Sequence, residues 1–143
     1  MALADRSALL DVDVSGTAPL GPEHEAEVRR FLAVAYPDNW FDPRTLATGR
    51  YVGLREDREL VAIAGVHVHS LEFGAAALGN VATLPMRRGH GLGRRVIAAV
   101  CRRLVGEVEH IGLNVEQTNT AAITCYRRLG FADVAPYEEW WIG

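Results

Sequence analysis

Apolar positions along the chain recur with two periods. Ala26, Val28, Phe31, Leu32 and Ala35 fall near helical spacing behind Pro22, with acids in the first turn where the helix dipole favours them, and Pro37 marks the stop. Leu92, Val96, Ile97, Val100 and Leu104 form a second stripe and predict a helix to about Val105, with Arg95, Arg102 and Arg103 mostly outward. TAAITCYRRL, residues 120 to 129, predicts a third, closed by Gly130. Asp42-Pro43 has the order of an N-cap and an N1 proline, so DPRTLAT predicts a short helical segment. The remaining apolar runs alternate. SALLDVDV (7 to 14) predicts a first strand. YVGLRE (51 to 56) and ELVAIAGVHVHS (59 to 70) flank Asp57-Arg58 as a hairpin. AAALGNVATLP after Gly74, HIGLNVEQ (110 to 117), and the pair FADV and YEEWWI complete the strands. The order β, α, short α, β, β, β, α, β, α, β, β predicts a mixed α/β fold around one sheet.

Length and composition narrow this picture. The 143 residues carry no Pro/Gly/Ser-rich linker, internal repeat or low-complexity tract, so one domain spanning 1 to 143 is expected. The chain is 49% hydrophobic and 23% charged, too apolar for disorder, and 15 Lys+Arg against 18 Asp+Glu give a net charge of -3. That balance argues against a nucleic-acid partner and confines the arginines to a local task. No segment approaches the ~18 apolar residues of a membrane span, and the N-terminus lacks a signal-peptide pattern. Cys101 and Cys125 lie 24 positions apart without metal-like spacing, so no metal is expected and a cytoplasmic location fits.

One stretch concentrates chemistry. RRGHGLGRR, residues 87 to 95, follows a predicted strand and opens a predicted helix. First-turn N–H groups lack intrahelical partners there, and Gly89, Gly91 and Gly93 remove side chains that would hold a ligand away. With the dipole adding positive charge, a pyrophosphate is the natural guest, and Arg87, Arg88, Arg94 and Arg95 can add charge-assisted bonds. The segment lacks the GK[ST] of a P-loop, and its G-x-G-x-G spacing differs from the dinucleotide G-x-G-x-x-G.

Arg88-Gly89-His90-Gly91-Leu92-Gly93 resembles the R/Q-x-x-G-x-G/A pyrophosphate motif of the GNAT N-acetyltransferases, and the preceding NVATLP resembles that family's fourth strand. About 26 residues beyond Gly93, the segment from Asn119 to Phe131 is similar to the family's N-x-x-A-x-x-x-Y-x-x-x-G-F block. The resemblance implies a splayed mixed sheet flanked by helices, with acetyl-CoA in the gap between two strands. It implies that main-chain groups of Val81, Ala82 and Thr83 bond the pantetheine, with an oxyanion donor near Ala82. It implies that the stretch Arg88, Gly89, His90, Gly91, Leu92, Gly93 and Arg94 holds the pyrophosphate, that Asn119 and Ala122 meet the cofactor arm, and that Tyr126 faces its sulfur as general acid.

A free thiol (pKa ~8.5) and a phenol (~10) differ by only about 2 kcal/mol, so a placed Tyr126 can protonate a departing thiolate. The general base is less constrained. Glu116 on the strand beside the gap is preferred, acting directly or through water; Glu72, and His67 and His69 on one strand face by the two-residue period, are the other candidates. Trp40-Phe41 and Trp140-Trp141 are read as core and edge filler or as an acceptor-pocket wall. The expected reaction is acetyl transfer to a primary amine on a small molecule, peptide or protein. A non-catalytic CoA-binding module of the same fold is the alternative, and a homodimer through strand edges is compatible with the sequence.

Overall fold

In the computed structural model, described here for residues 1–134, a seven-stranded sheet runs in the order β2-β3-β4-β5-β6-β1-β7. The strands are β1 (Ala2–Leu3), β2 (Thr17–Leu20), β3 (Tyr51–Glu56), β4 (Glu59–Ser70), β5 (Ala75–Thr83), β6 (His110–Gly112) and β7 (Phe131–Ala132). Helix α1 (Glu25–Ala35) covers one face. Helices α2 (Leu92–Leu104) and α3 (Thr120–Arg128) belong to the other. Val28, Phe31, Leu32 and Ala35 of α1 pack with Tyr51, Leu60 and Ile63, while Val96, Ile97, Val100 and Leu104 of α2 pack with Val52, Leu54, Ala64 and Leu78. The two stripes read from the sequence are therefore the two halves of the core. The β3–β4 hairpin turns on Asp57 (φ 49°) and Arg58 (φ 68°), the paired positive φ of a two-residue I′ turn.

The predicted strand at 7 to 14 is instead a 3-10 helix, Arg6–Asp11. Asp5 caps it by accepting from the Ser7 N–H at 3.0 Å, and Asp13 accepts from the Ser15 N–H at 2.9 Å. Short acidic side chains bond the local backbone and compete with a ladder. The carbonyls of Leu9 and Val12 go to the Arg102 guanidinium at 2.6 Å each, so Arg102 fastens this segment to α2 instead of merely pointing outward. Arg95 likewise donates to the carbonyls of Asp13 and Ser15. One further expectation changes. The strand expected over 110 to 117 ends at Gly112, and YEEWWI, with Trp140 and Trp141, lies outside the described residues.

Two register shifts in the β4–β5 ladder re-aim side chains. Between Val66 and Val68, paired with Leu78 and Ala77, β4 carries one extra residue at His67. The bulge cancels the two-residue period: His67 lies against Gly79, whereas His69 reaches Glu107 beyond the end of α2 at 3.0 Å. The histidines do not share a face, contrary to the alternation. The second shift, between Ile63 and Gly65, places an extra residue in β5 around Asn80, whose φ is +52°. Asn80 Nδ2 donates to the hydroxyl of the buried Tyr51 at 2.9 Å, and Tyr51 in turn lies over Gly65, where any Cβ would fall 2.3 Å from the ring.

Candidate active site: a split in the sheet facing an uncapped helix

β5 and β6 are parallel partners only from Ala75↔His110 to Ala77↔Gly112. β5 then continues to Thr83 while β6 has ended, so the edge of β5 from Leu78 onward faces a split. The bulge at Asn80 lies on this stretch, where a bulge bends a strand and strengthens its twist. Leu84 N–H donates to the Val61 carbonyl at 2.9 Å; by antiparallel alternation Ala82, paired with Ile63, turns its polar groups to β4, and Thr83 turns its own to the split. Of the three residues expected to bond a pantetheine, Ala82 thus has its N–H and C=O engaged in the ladder. On either side of Ala82, Val81 lies within the bulge and Thr83 at the open edge.

The split ends at the glycine loop. Gly91 (φ +75°) is the N-cap of α2, and no side chain caps the helix. The first helical bond runs from Arg95 N–H to the Gly91 carbonyl at 3.3 Å, leaving the amides of Leu92, Gly93 and Arg94 without helical acceptors. The first turn holds no acid but does hold Arg94 and Arg95, cations at the positive end of a dipole that disfavours them. An anion at this end satisfies the amides and relieves the cations. Gly89 (φ +82°) and Gly91 have no heavy atom within 4 Å of where a Cβ would stand, so an open cradle flanks these donors. The residues present fit a diphosphate. His90 and Arg94 are exposed beside it, Leu92 is buried beneath as an anchor, and Arg87 is bonded to Glu56 at 2.6 Å. The Arg88 guanidinium donates to two backbone carbonyls, those of Thr83 and Ala35.

α3 supplies the other wall. Asn119 caps it, its Oδ1 accepting from the Ala122 N–H at 3.2 Å, so one end of the amide expected to meet the cofactor arm is a structural cap. Replacing Asn119 by Ala is expected to cost about 1 kcal/mol of unfolding free energy, measured by urea denaturation. Two turns on, Tyr126 is 8% exposed and packs edge-on to Phe131, with ring centroids 5.8 Å apart. Arg87 Nε is the fully enclosed polar side-chain atom left unpartnered among the described residues. Burial pushes the phenol pKa above its ordinary range, reinforced by the Cys125 and Cys101 thiols and by Tyr36. Tyr36 follows α1 on the opposite face of the sheet. Sequence periodicity missed Asn80; the Gly79-Asn80 pair inside a strand pattern was the available signal for the bulge.

The base candidates are scattered. Glu116 is exposed in the irregular segment after β6, not on a strand, and its carbonyl accepts from the Asn119 N–H at 3.0 Å. Glu72 lies in the β4–β5 turn, and His69 is bonded to Glu107, both at the closed end of the split where β5 and β6 still pair. Burial pushes the Cys101 thiol up to about 12, so it is an inert core group.

This arrangement has relatives. The profile of the Acetyltransferase (GNAT) family matches residues 18–131. A mycothiol acetyltransferase of Mycobacteroides abscessus is 29% identical over 154 aligned residues, covering 92% of this chain and 50% of that protein. The chain thus spans half the length, or less, of the curated relatives it matches. A GNAT-family chain from Novosphingobium aromaticivorans DSM 12444 superposes with a TM-score of 0.74 at 28% identity, over 92% of this chain and 57% of that one. The ribosomal-protein-S18-alanine N-acetyltransferase of Escherichia coli shares the fold at a TM-score of 0.68 and 23% identity, over 83% of this chain and 78% of its own. With a split mixed sheet, an uncapped glycine-led helix at its mouth and a family profile covering most of its length, the chain belongs to the GNAT acetyltransferase family.

Proposed function

We propose that the chain is an acetyl-CoA-dependent N-acetyltransferase that moves the acetyl group directly to a primary amine. The observation that carries this reading is the uncapped start of α2, with two arginines in its first turn, opening onto the unpaired edge of β5. Acetyl-CoA, as substrate, supplies a thioester activated for attack. The amides of Leu92, Gly93 and Arg94, the cradle at Gly89 and Gly91, and the Arg94 guanidinium hold its diphosphate; His90 borders the same mouth, and Arg88 stands next to it. Thr83 and Val81 orient the arm along β5, and Asn119 and Ala122 bound it from α3. Tyr126 keeps a proton at its Oη for the departing thiolate. The names of the relatives share acetyl transfer and differ in acceptor, so acetyl transfer is the part that carries over. The acceptor is an amine on a small molecule, peptide or protein, reached from the α1 side of the split.

Glu116, solvated on the β6 side, takes up the proton from the amine through water. Because it is exposed and not fixed by a partner, Glu116→Gln is expected to lower turnover by less than about tenfold, below the 10²–10⁴ of a positioned base. Full-length protein with acetyl-CoA and a panel of primary amines, followed by thiol release, tests the whole reading. Release with at least one amine supports it. Coenzyme binding with no release across the panel supports instead a CoA-binding module without turnover.

A further inference from the structure

The fold uses only half of the Asn80 side chain. Asn80 is the one residue of β5 with a positive φ, +52°, and asparagine enters that region more readily than most side chains. A glycine would serve the backbone equally well, so the bulge alone does not account for the amide. Its Nδ2 donates to the Tyr51 hydroxyl at 2.9 Å. Tyr51 is 1% exposed, lies over Gly65 and packs edge-on to Phe41 with centroids 5.8 Å apart, so the amide is tied to an immobile phenol. Tyr51 belongs to the core half built on α1, which puts the Asn80 amide on the α1 face of the sheet. The other end of that amide, Oδ1, accepts no hydrogen bond among the described residues. Asn80 is partly buried and stands on the stretch of β5 that β6 no longer pairs. The split therefore presents, on its α1 side, an oriented amide oxygen in want of a donor.

An amine supplies that donor. A primary amine attacking a thioester brings one lone pair and two N–H groups. The lone pair goes to the carbonyl carbon, and one proton leaves through water toward Glu116. The second N–H needs an acceptor on the side from which the amine arrives. We propose that Asn80 receives the acceptor: Oδ1 accepts from one N–H of the primary amine and so turns its lone pair toward the thioester. Asn80 takes up no proton in this role; it orients the nucleophile by one hydrogen bond. The same contact selects among amines. A secondary amine has a single N–H and cannot both bond Oδ1 and give that proton to water, so primary amines are favoured. This inference rests on the acetyl-transfer function proposed above.

Thiol release at saturating acetyl-CoA tests it on the full chain, with the most active primary amine of the panel and its N-methyl derivative as probes. Asn80→Gly keeps the backbone conformation and removes the amide. It is expected to lower kcat/KM for the primary amine about tenfold, the worth of one hydrogen bond, with CoA affinity within about threefold of the wild type. The preference for the primary over the N-methyl amine is expected to shrink by a similar factor, which a purely structural role would not produce. Asn80→Asp keeps the shape and tolerates the same φ, but its carboxylate favours the ammonium over the neutral amine. The rise of turnover with pH is then expected about one unit higher than in the wild type. Tyr51, bonded to residue 80, and His67, against Gly79, are unchanged in that variant, so the shift belongs to the new carboxylate. If Asn80→Gly melts well below the wild type, the pH profile of Asn80→Asp decides alone. An unchanged kcat/KM or an unchanged preference in folded Asn80→Gly overturns the role of Asn80 and leaves acetyl transfer standing. So does an unmoved pH profile in Asn80→Asp, or a loss of CoA affinity in Asn80→Gly as large as its loss of kcat/KM. No thiol release from the wild type with any amine overturns both.

Discussion

Tyr126→Phe is expected to lower turnover about 10²-fold, the low end for a positioned general acid, while CoA affinity stays within about threefold of the wild type. The asymmetry follows from where the side chain sits. Its ring is buried against Phe131 and stays so in the variant, so the packing of α3 is preserved. Only the hydroxyl is removed. The raised phenol pKa does not argue against donation. Burial is its main cause, and burial likewise pushes the thiol of Cys101, in the core, up to about 12. A thiolate leaving into a desolvated site is raised by the same effect. What matters is the gap between donor and acceptor, and desolvation moves both in one direction. The pH dependence has a definite sign: with its pKa above the ordinary phenol value of about 10, Tyr126 stays protonated as pH rises through that value. A fall in rate at pH 8–9 then belongs to another group and persists in Tyr126→Phe. Thiol release at saturating amine, with CoA affinity by calorimetry, checks both. Wild-type turnover in the variant would remove Tyr126 from the chemistry.

Legibility in the sequence tracked the range of the forces involved. The α1 and α2 stripes, the Asp57-Arg58 hairpin and the Asn119-capped, Gly130-closed helix are local patterns, and each is present where its period and end signals place it. The split was reachable only through resemblance, because nothing in HIGLNVEQ marks Gly112 as the end of pairing. That end depends on β1 entering between β6 and β7, with Leu113 N–H bonding the Met1 carbonyl at 2.9 Å. SALLDVDV misleads because alternation describes a strand only when a neighbour offers a ladder. Here Arg102, 93 positions from Leu9, takes the carbonyls instead. The histidine pair fails for a related reason, since a one-residue bulge inverts every side chain beyond it. For the site, the glycine loop was readable because helix-start chemistry is local. The two carbonyls that Arg88 reaches, on Ala35 and Thr83, were not, because they depend on α1 and β5 ending at the same place.

The second large effect separates the cradle from the fold that carries it. Gly91 adopts φ +75°, so any L side chain there costs roughly 1–2 kcal/mol of backbone strain, and a weakened coenzyme complex in such a variant is ambiguous. Gly93 is cleaner. It is the second residue of α2, in ordinary helical conformation, and a Cβ there would meet Thr83 Oγ1 at 3.5 Å, an ordinary contact. Valine in place of glycine in a helix roughly balances lost chain entropy against restricted rotamers, so Gly93→Val is expected to melt within a few degrees of the wild type. Its methyl groups, however, stand between the end of β5 and the uncapped amides, where the bound diphosphate must approach. The expected result is a rise in the CoA dissociation constant of about 10²-fold, or roughly 2.7 kcal/mol, by calorimetry on protein whose melting curve is unchanged. A folded Gly93→Val protein that binds CoA like the wild type would mean that the diphosphate does not sit at the start of α2. The cations placed there against the helix dipole would then need a different anion.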